Sequence, residues 1–351
     1  GLGDVYKRQQ LYPAAWSALV KQGDGILEEL ETAFCKPDTT LKLQKRIASV
    51  ISAIGSEKAA QSLLAKLDTH HRDVFTAVVQ GLYENRFKAS EIQLAQIQNA
   101  ILKLVHTGTW NMAARISVRT DDPGGNLAEA IEHEIWDVNE LILMLMTMIY
   151  DRRSVHRIRM LLLDRESMDK GMAIELLDLL LSEPLKSVLL SYFHDVTVRE
   201  KIDKLREIIP LEILPVDLLQ KRILNRDGSQ MGDFIRICVL ERMGNDERFF
   251  DEQQIIAQGF HPNPKIRETA AQLLRKNDPE RFHMVTERLD YPDNSFPDHE
   301  DAAGWYMDTT MQLTAWKLFL NVGINSLFKL VSEIEPFSED SLQEGDKVVL
   351  A

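Results

Sequence analysis

The sequence predicts an all-α chain, an α-solenoid of stacked helical hairpins. Apolar residues recur every three to four positions along most of the 351 residues, the period of a helix with one buried face. The stretches are separated by short polar or proline-containing breaks, with almost no strand-like alternation. A turn running straight into a helix also occurs twice, as Asp68-Thr69-His70-His71-Arg72-Asp73-Val74-Phe75 and as His261-Pro262-Asn263-Pro264-Lys265-Ile266-Arg267-Glu268. Hairpins this small cannot bury their apolar stripes alone, so they are expected to stack on one another.

Leu27, Leu30 and Phe34 stripe the first clear helix, which should stop before Pro37. Asp38 or Thr39 can cap the next, striped by Leu43, Ile47, Val50, Ile51 and Ile54 and closed by Gly55. Ser56 caps a helix carrying Ala60, Leu63, Leu64 and Leu67, and Val74, Phe75, Val78, Val79 and Leu82 share the face of another. Leu94, Ile97, Ile101 and Leu104 follow, after which Thr107 to Asn126, with Asp122-Pro123-Gly124-Gly125, predicts a connection around a turn. Ile131, Ile135, Val138, Leu141, Ile142, Leu145 and Ile149 then lie on one helix from Leu127 to Tyr150, about 36 Å long at 1.5 Å per residue.

Shorter helices come next, on Val155, Ile158, Leu161 and Leu162, on Met168, Met172, Leu176 and Leu180, on Leu185, Val188, Leu189 and Tyr192, and on Val198, Ile202, Leu205 and Ile209. Pro184, Pro210 and Pro215 fall at breaks, where proline costs nothing. Phe234, Ile235, Cys238 and Val239 mark a further helix, then Ile255 and Ile256, then Ile266, Ala270, Leu273 and Leu274, then Phe282, Val285 and Leu289.

Four segments result. Residues 1–9 (Gly1-Leu2-Gly3-Asp4-Val5-Tyr6-Lys7-Arg8-Gln9) resemble translated sequencing-adapter read-through and are set apart from the fold, so the natural chain is expected to continue upstream. Residues 10–289 are the solenoid. Residues 290–304, including Pro292, Pro297 and four aspartates, form a turn-rich acidic linker. Residues 305–351 hold two amphipathic helices and a closing strand, Glu344-Gly345-Asp346-Lys347-Val348-Val349-Leu350, as the start of a truncated domain. Trp305, Tyr306 and Trp316 are expected to dock the terminal helices within the chain.

Composition excludes several function classes. Forty-one basic against 54 acidic residues leave a formal net charge of −13, which repels phosphate backbones and makes nucleic acid a poor partner. The most apolar run, Leu141 to Tyr150, is half the length needed to span a bilayer. Cys35 and Cys238 lie in helical patterns and predict reduced, buried thiols, consistent with a cytoplasmic location. Pro123-Gly124-Gly125 is followed by no Lys-Ser or Lys-Thr and is a turn, not a phosphate loop. No nucleophile elbow, zinc-spaced cysteine pair or catalytic triad stands out, so no enzyme activity, cofactor or small-molecule substrate is implied.

One cluster departs from the acidic background. Arg152, Arg153, His156, Arg157 and Arg159 fall within eight residues, with 152, 156 and 159 on one helical face. A solvated, acid-paired face is the plain expectation; the functional alternative is a patch for an anionic membrane surface or an acidic protein partner. Met144, Met146 and Met148 just upstream are expected to pack in the core.

The interval between hairpins varies from about thirty to forty-five residues and lacks the Trp, Gly and Tyr signature of tetratricopeptide units, which favours the HEAT class. Two His-Glu dyads, His133-Glu134 and His299-Glu300, resemble the paired ligands of deoxyhypusine hydroxylase, a HEAT-repeat di-iron enzyme. That family uses four dyads at symmetric repeat positions, so solvated surface residues are the expectation and the metalloenzyme an alternative. Ile149-Tyr150-Asp151-Arg152, Met160-Leu161-Leu162-Leu163, Met172 through Leu180 and Pro184-Leu185-Lys186 resemble the HEAT region of bacterial transporter-like proteins of the ATP/ADP-translocase or major-facilitator type. In those, a cyclic-nucleotide-binding domain often follows, and Leu318-Phe319-Leu320, Leu327-Phe328 and Glu344 to Val349 resemble its beginning. The resemblance implies a non-catalytic scaffold or regulatory module, tethered to the inner membrane through a missing transporter domain and partnered by flanking domains or another protein. A freestanding adaptor is the other option.

Overall fold

A computed structural model describes residues 16–37, 39–121, 126–163, 169–228 and 230–288. The expected adapter-like segment, the acidic linker, the terminal helices and strand, the aromatic trio and His299-Glu300 lie outside them. The described residues are all-α, with no strand among them. Two units divide between Asp278 and Pro279.

Residues 16–22 are helical (α1), and a 3-10 turn, Gly23–Ile26, leads into α2, Leu27–Cys35. Helix α2 buries Leu27, Leu30 and Phe34. Helix α3, Leu41–Ile54, opens on Thr40, whose side chain accepts from the Leu43 amide, and closes on Gly55 at φ 69°. That left-handed conformation carries no penalty only for glycine. Helix α4, Glu57–Leu64, begins two residues later with the Ser56 hydroxyl accepting from the Ala59 amide at 3.0 Å. Ser56→Ala should cost about 1 kcal/mol, the usual worth of such a cap, and a urea melt with an unchanged midpoint would contradict that assignment.

Helix α5, Arg72–Glu84, is followed by the two longest elements, α6, Glu91–Asp121, and α7, Asn126–Ile149. The connection expected over Thr107 to Asn126 is overturned: the chain stays helical through Asp121, leaving 122–125 between the two helices. Thr107 and Thr109 do not break the helix because each hydroxyl donates to the carbonyl four residues back, Lys103 and Val105. Met112, Ala113, Ala114 and Val118 meanwhile bury a face. Helix α6, about 46 Å long at 1.5 Å per residue, thus makes with α7 the most extensive helix pairing of the unit.

Helices α8, Arg152–Leu163, α9, Lys170–Leu180, α10, Leu185–Phe193, and α11, Val198–Leu205, follow with the prolines at their breaks as expected. Helix α12, Val216–Leu224, had no clear stripe in the sequence. The rest of the unit is α13, Asp233–Asn245, α14, Glu252–Gln258, and α15, Pro264–Asn277. In the second unit α16, Pro279–Arg288, is the only described helix.

Many contacts join sequence neighbours, α3 with α5, α8 with α9, and α13 and α14 with α15. Others are long-range. Helix α13 packs on α7, and α10, α11 and α12 all reach α6. The α6–α7 pair is therefore a hub that carries three groups of helices. Apolar residues from Leu27 to Ile209 form one connected core. Leu219, Ile223, Ile235, Val239, Ile255, Ile266 and Leu274 are buried in addition to it, in the C-terminal helices. Met146 and Met148 are fully buried and Met144 packs against them, as expected. Cys238 is buried and Cys35 exposed. Cys35 ends α2, one position past its last buried residue, which is why the predicted burial fails there.

Candidate functional site

The arginine cluster separates into two kinds of residue. Helix α8 seats Val155 and Ile158 against its neighbours, so residues flanking that contact reach across to adjacent helices. Arg152 lays its guanidinium 4.1 Å over the Tyr83 ring and donates from Nη1 to the Tyr83 carbonyl at 2.9 Å. Arg159 donates from Nε to Glu140 Oε2 at 2.7 Å. Glu140 is buried, and burial raises its pKa although Arg159 pulls it down. These two arginines are braces inside the fold and do not complete a shared exposed face with His156.

The remaining members form a different stripe. Arg153, His156, Arg157 and Met160 are exposed at i, i+3, i+4 and i+7. An Arg157 Nη2 lies 3.8 Å from the Met172 sulfur on α9, which places the two helices' exposed faces side by side. Met160, Met172 and Leu179 are 58, 43 and 83 % exposed. Cations and soft apolar side chains thus share one outward surface, where lone exposed apolar residues would need no explanation.

Of the His133-Glu134 dyad, His133 is partly exposed, whereas Glu134 is not solvated surface. Glu134 is buried and accepts from the Gly232 amide at 2.9 Å through Oε1. Its burial raises the carboxyl pKa, with Arg72 acting in the opposite direction. His133 Nδ1 lies 2.9 Å from Asp137. Burial opposes the charged imidazole, but Asp137 outweighs it and the pKa is raised. Both residues are committed to structural partners. Among the described residues no three His, Cys, Asp or Glu side chains converge in a way that would hold a metal ion.

The two similar turns meet. His71 Nδ1 accepts from the Asp73 amide and His261 Nδ1 from the Asn263 amide, at 3.3 and 3.1 Å, so each histidine closes its turn in the same way. Both turns then face Asp233, the first residue of α13. His71 Nε2 lies 3.5 Å from Asp233 Oδ2, and Asn263 Nδ2 donates to that oxygen at 2.7 Å. Arg236, 1 % exposed, donates to Oδ1 at 3.0 Å and to the carbonyls of Met231 and Arg226. The Arg72 amide donates to the Gly228 carbonyl at 2.9 Å. A polar seam therefore joins α5 and α7 to α13 and α15. Burial opposes ionisation of Asp233, but the hydrogen bonds from His71 and Asn263 and the charges of His71 and Arg236 prevail and hold it at about 2. The sequence repeat marked these turns, but no signal in it pointed to Asp233.

No protein-family model, curated protein or solved structure matches the chain.

Proposed function

We propose that the chain is a non-catalytic protein-interaction scaffold, an α-solenoid of HEAT-like hairpins acting as the cytosolic regulatory part of a membrane transporter-like protein. The observation that carries this reading is the exposed stripe of α8 and α9, with Arg153, His156 and Arg157 beside Met160, Met172 and Leu179. Methionine adapts to irregular partner surfaces and arginine pairs with carboxylates in a fixed geometry, so the stripe suits an acidic protein surface. The seam at Asp233 and the hub of α6 and α7 support a holding role, since they supply a rigid frame with charge used for bracing. Glu134 and His133 are bound to Gly232 and Asp137, which leaves the metalloenzyme alternative without a favouring observation.

A photoreactive side chain at Met160 is expected to crosslink one protein from the membrane fraction, and Arg153→Glu with Arg157→Glu should abolish that product. Crosslinking no stronger than from a probe at exposed Glu57 on α4 would sink the scaffold reading. The transporter link has its own test. Coding sequence upstream of Gln10 should specify successive apolar helices of about twenty residues each, and a start codon at that point would remove it.

A further inference from the structure

A cleft of about 410 Å³ lies between α6, the 210–214 connection and the end of α12. Its apolar wall includes Leu211, Leu214 and Pro210, and its cationic side is Arg222 and Arg226. The Arg226 guanidinium carbon lies 3.9 Å from the centre of the Trp110 ring, a cation–π contact. Its Nε is buried with no hydrogen-bond partner. Among the described residues neither Arg222 nor Arg226 has a carboxylate within 4.0 Å, while neighbouring Lys221 pairs with Asp251 and Arg236 with Asp233. Asn225, also in the lining, is already satisfied by the Lys221 carbonyl and Gln254.

We propose that this cleft binds a small organic dianion, a phosphomonoester or a dicarboxylate, whose anionic group is held by Arg222 and Arg226 while its body rests on Leu211 and Leu214. Lys221 and Arg236 each have an anion of their own, whereas these two guanidiniums face the cleft without one. Burial, with Arg222 and Arg236 as like charges nearby, pulls the Arg226 pKa down to about 10, against a small opposing effect of Glu134. The fold therefore leaves a partly desolvated guanidinium at this point, whose charged form a bound anion would favour. Two guanidiniums call for two negative charges, and a fork donor meets a phosphoryl or carboxylate group with two parallel hydrogen bonds. Glu212 and Asp227 at the lining oppose any anion, so a bare ion gains less than one whose body also covers the apolar wall of Leu211 and Leu214.

Calorimetric titration of the 351-residue chain with phenyl phosphate, phthalate and inorganic phosphate tests this. One-to-one saturation by either aromatic dianion is expected, with inorganic phosphate at least tenfold weaker. Phenyl phosphate alone would assign a phosphoryl ligand, and phthalate alone a dicarboxylate. Arg222→Gln, a change at an exposed side chain, should weaken binding about tenfold, the value of one charge-assisted hydrogen bond. Absence of saturation by both aromatic dianions, equal binding of inorganic phosphate, or unchanged affinity in Arg222→Gln would each overturn the proposal. The outcome is independent of the α8 surface, so it fails or stands apart from the scaffold reading.

Discussion

Asp233→Ala is expected to destabilise the first unit by about 3–5 kcal/mol, the cost of breaking a buried ion pair from one side. Arg236 would remain buried with its charge facing only the carbonyls of Met231 and Arg226. Asn263 would lose its 2.7 Å acceptor and His71 the carboxylate 3.5 Å from its Nε2. The first turn of α13 would also lose a negative charge at its positive end. Asp233→Asn preserves shape and should cost about half as much. The pH dependence separates charge from shape. The carboxyl titrates at about 2 in the folded state and near 3.9 when unfolded, so its stabilisation is complete above about pH 5 and is lost as the pH falls toward 2. The loss is on the order of 2 kcal/mol. Glu134 acts with the opposite sign, since its raised pKa favours the folded state as pH falls. Urea melts of wild type and Asp233→Asn at pH 7 and pH 2.5 isolate the Asp233 part: the gap between the proteins should narrow on acidification. A gap of constant width would refute the charge assignment.

Gly108→Ala is the second large effect, and its sign is the informative part. Glycine inside a helix costs up to about 1 kcal/mol relative to alanine, so by propensity alone the substitution should stabilise α6. The structure reverses this. A methyl at Gly108 would overlap the Tyr192 hydroxyl and stand 2.8 Å from the ring carbon bearing it. Tyr192 is fully buried and donates to Asn139 Oδ1 at 2.8 Å, so it has nowhere to withdraw. Overpacking of this kind costs about 1–3 kcal/mol or more, and a net loss of about 2 kcal/mol is expected. Gly171→Ala on α9 is the control, because no atom lies within 4 Å of the new methyl, and it should raise stability by roughly 0.5 kcal/mol. Thermal melts in which both variants gain stability would disprove the close approach of α6 and α10.

Local signals were well expressed in the sequence, and long-range ones were not. Gly55 and Ser56 announced the junction of α3 and α4 because capping is decided within four residues. The stripe from Ile131 to Ile149 announced α7 for a similar reason. Helix α12 escaped notice because it is nine residues long and lies close behind Pro210 and Pro215. Asp122-Pro123-Gly124-Gly125 made the whole stretch from Thr107 look like a connection, and the threonine hydroxyl bonds to Lys103 and Val105 and the buried face of α6 explain why the helix continues. Spacing put Arg152, His156 and Arg159 on one face but carried no information about Tyr83 or Glu140, which lie on other helices. The Asp233 seam was invisible because its partners stand far apart along the chain. The cleft beside Arg226 was hidden for the same reason, Trp110 being on a distant helix.

The meeting of residues 70–72 with 228–236 has a consequence for biosynthesis. A ribosome delivers Arg72 and Glu134 long before it delivers Gly228 and Gly232, which complete their surroundings. Until then the Arg72 amide and the Glu134 carboxylate lack the partners they hold in the finished fold and should be met by water. Their final dehydration awaits the last helices, so a chain halted ahead of α13 should be a hydrated, incompletely closed precursor and not a shorter copy of the finished protein.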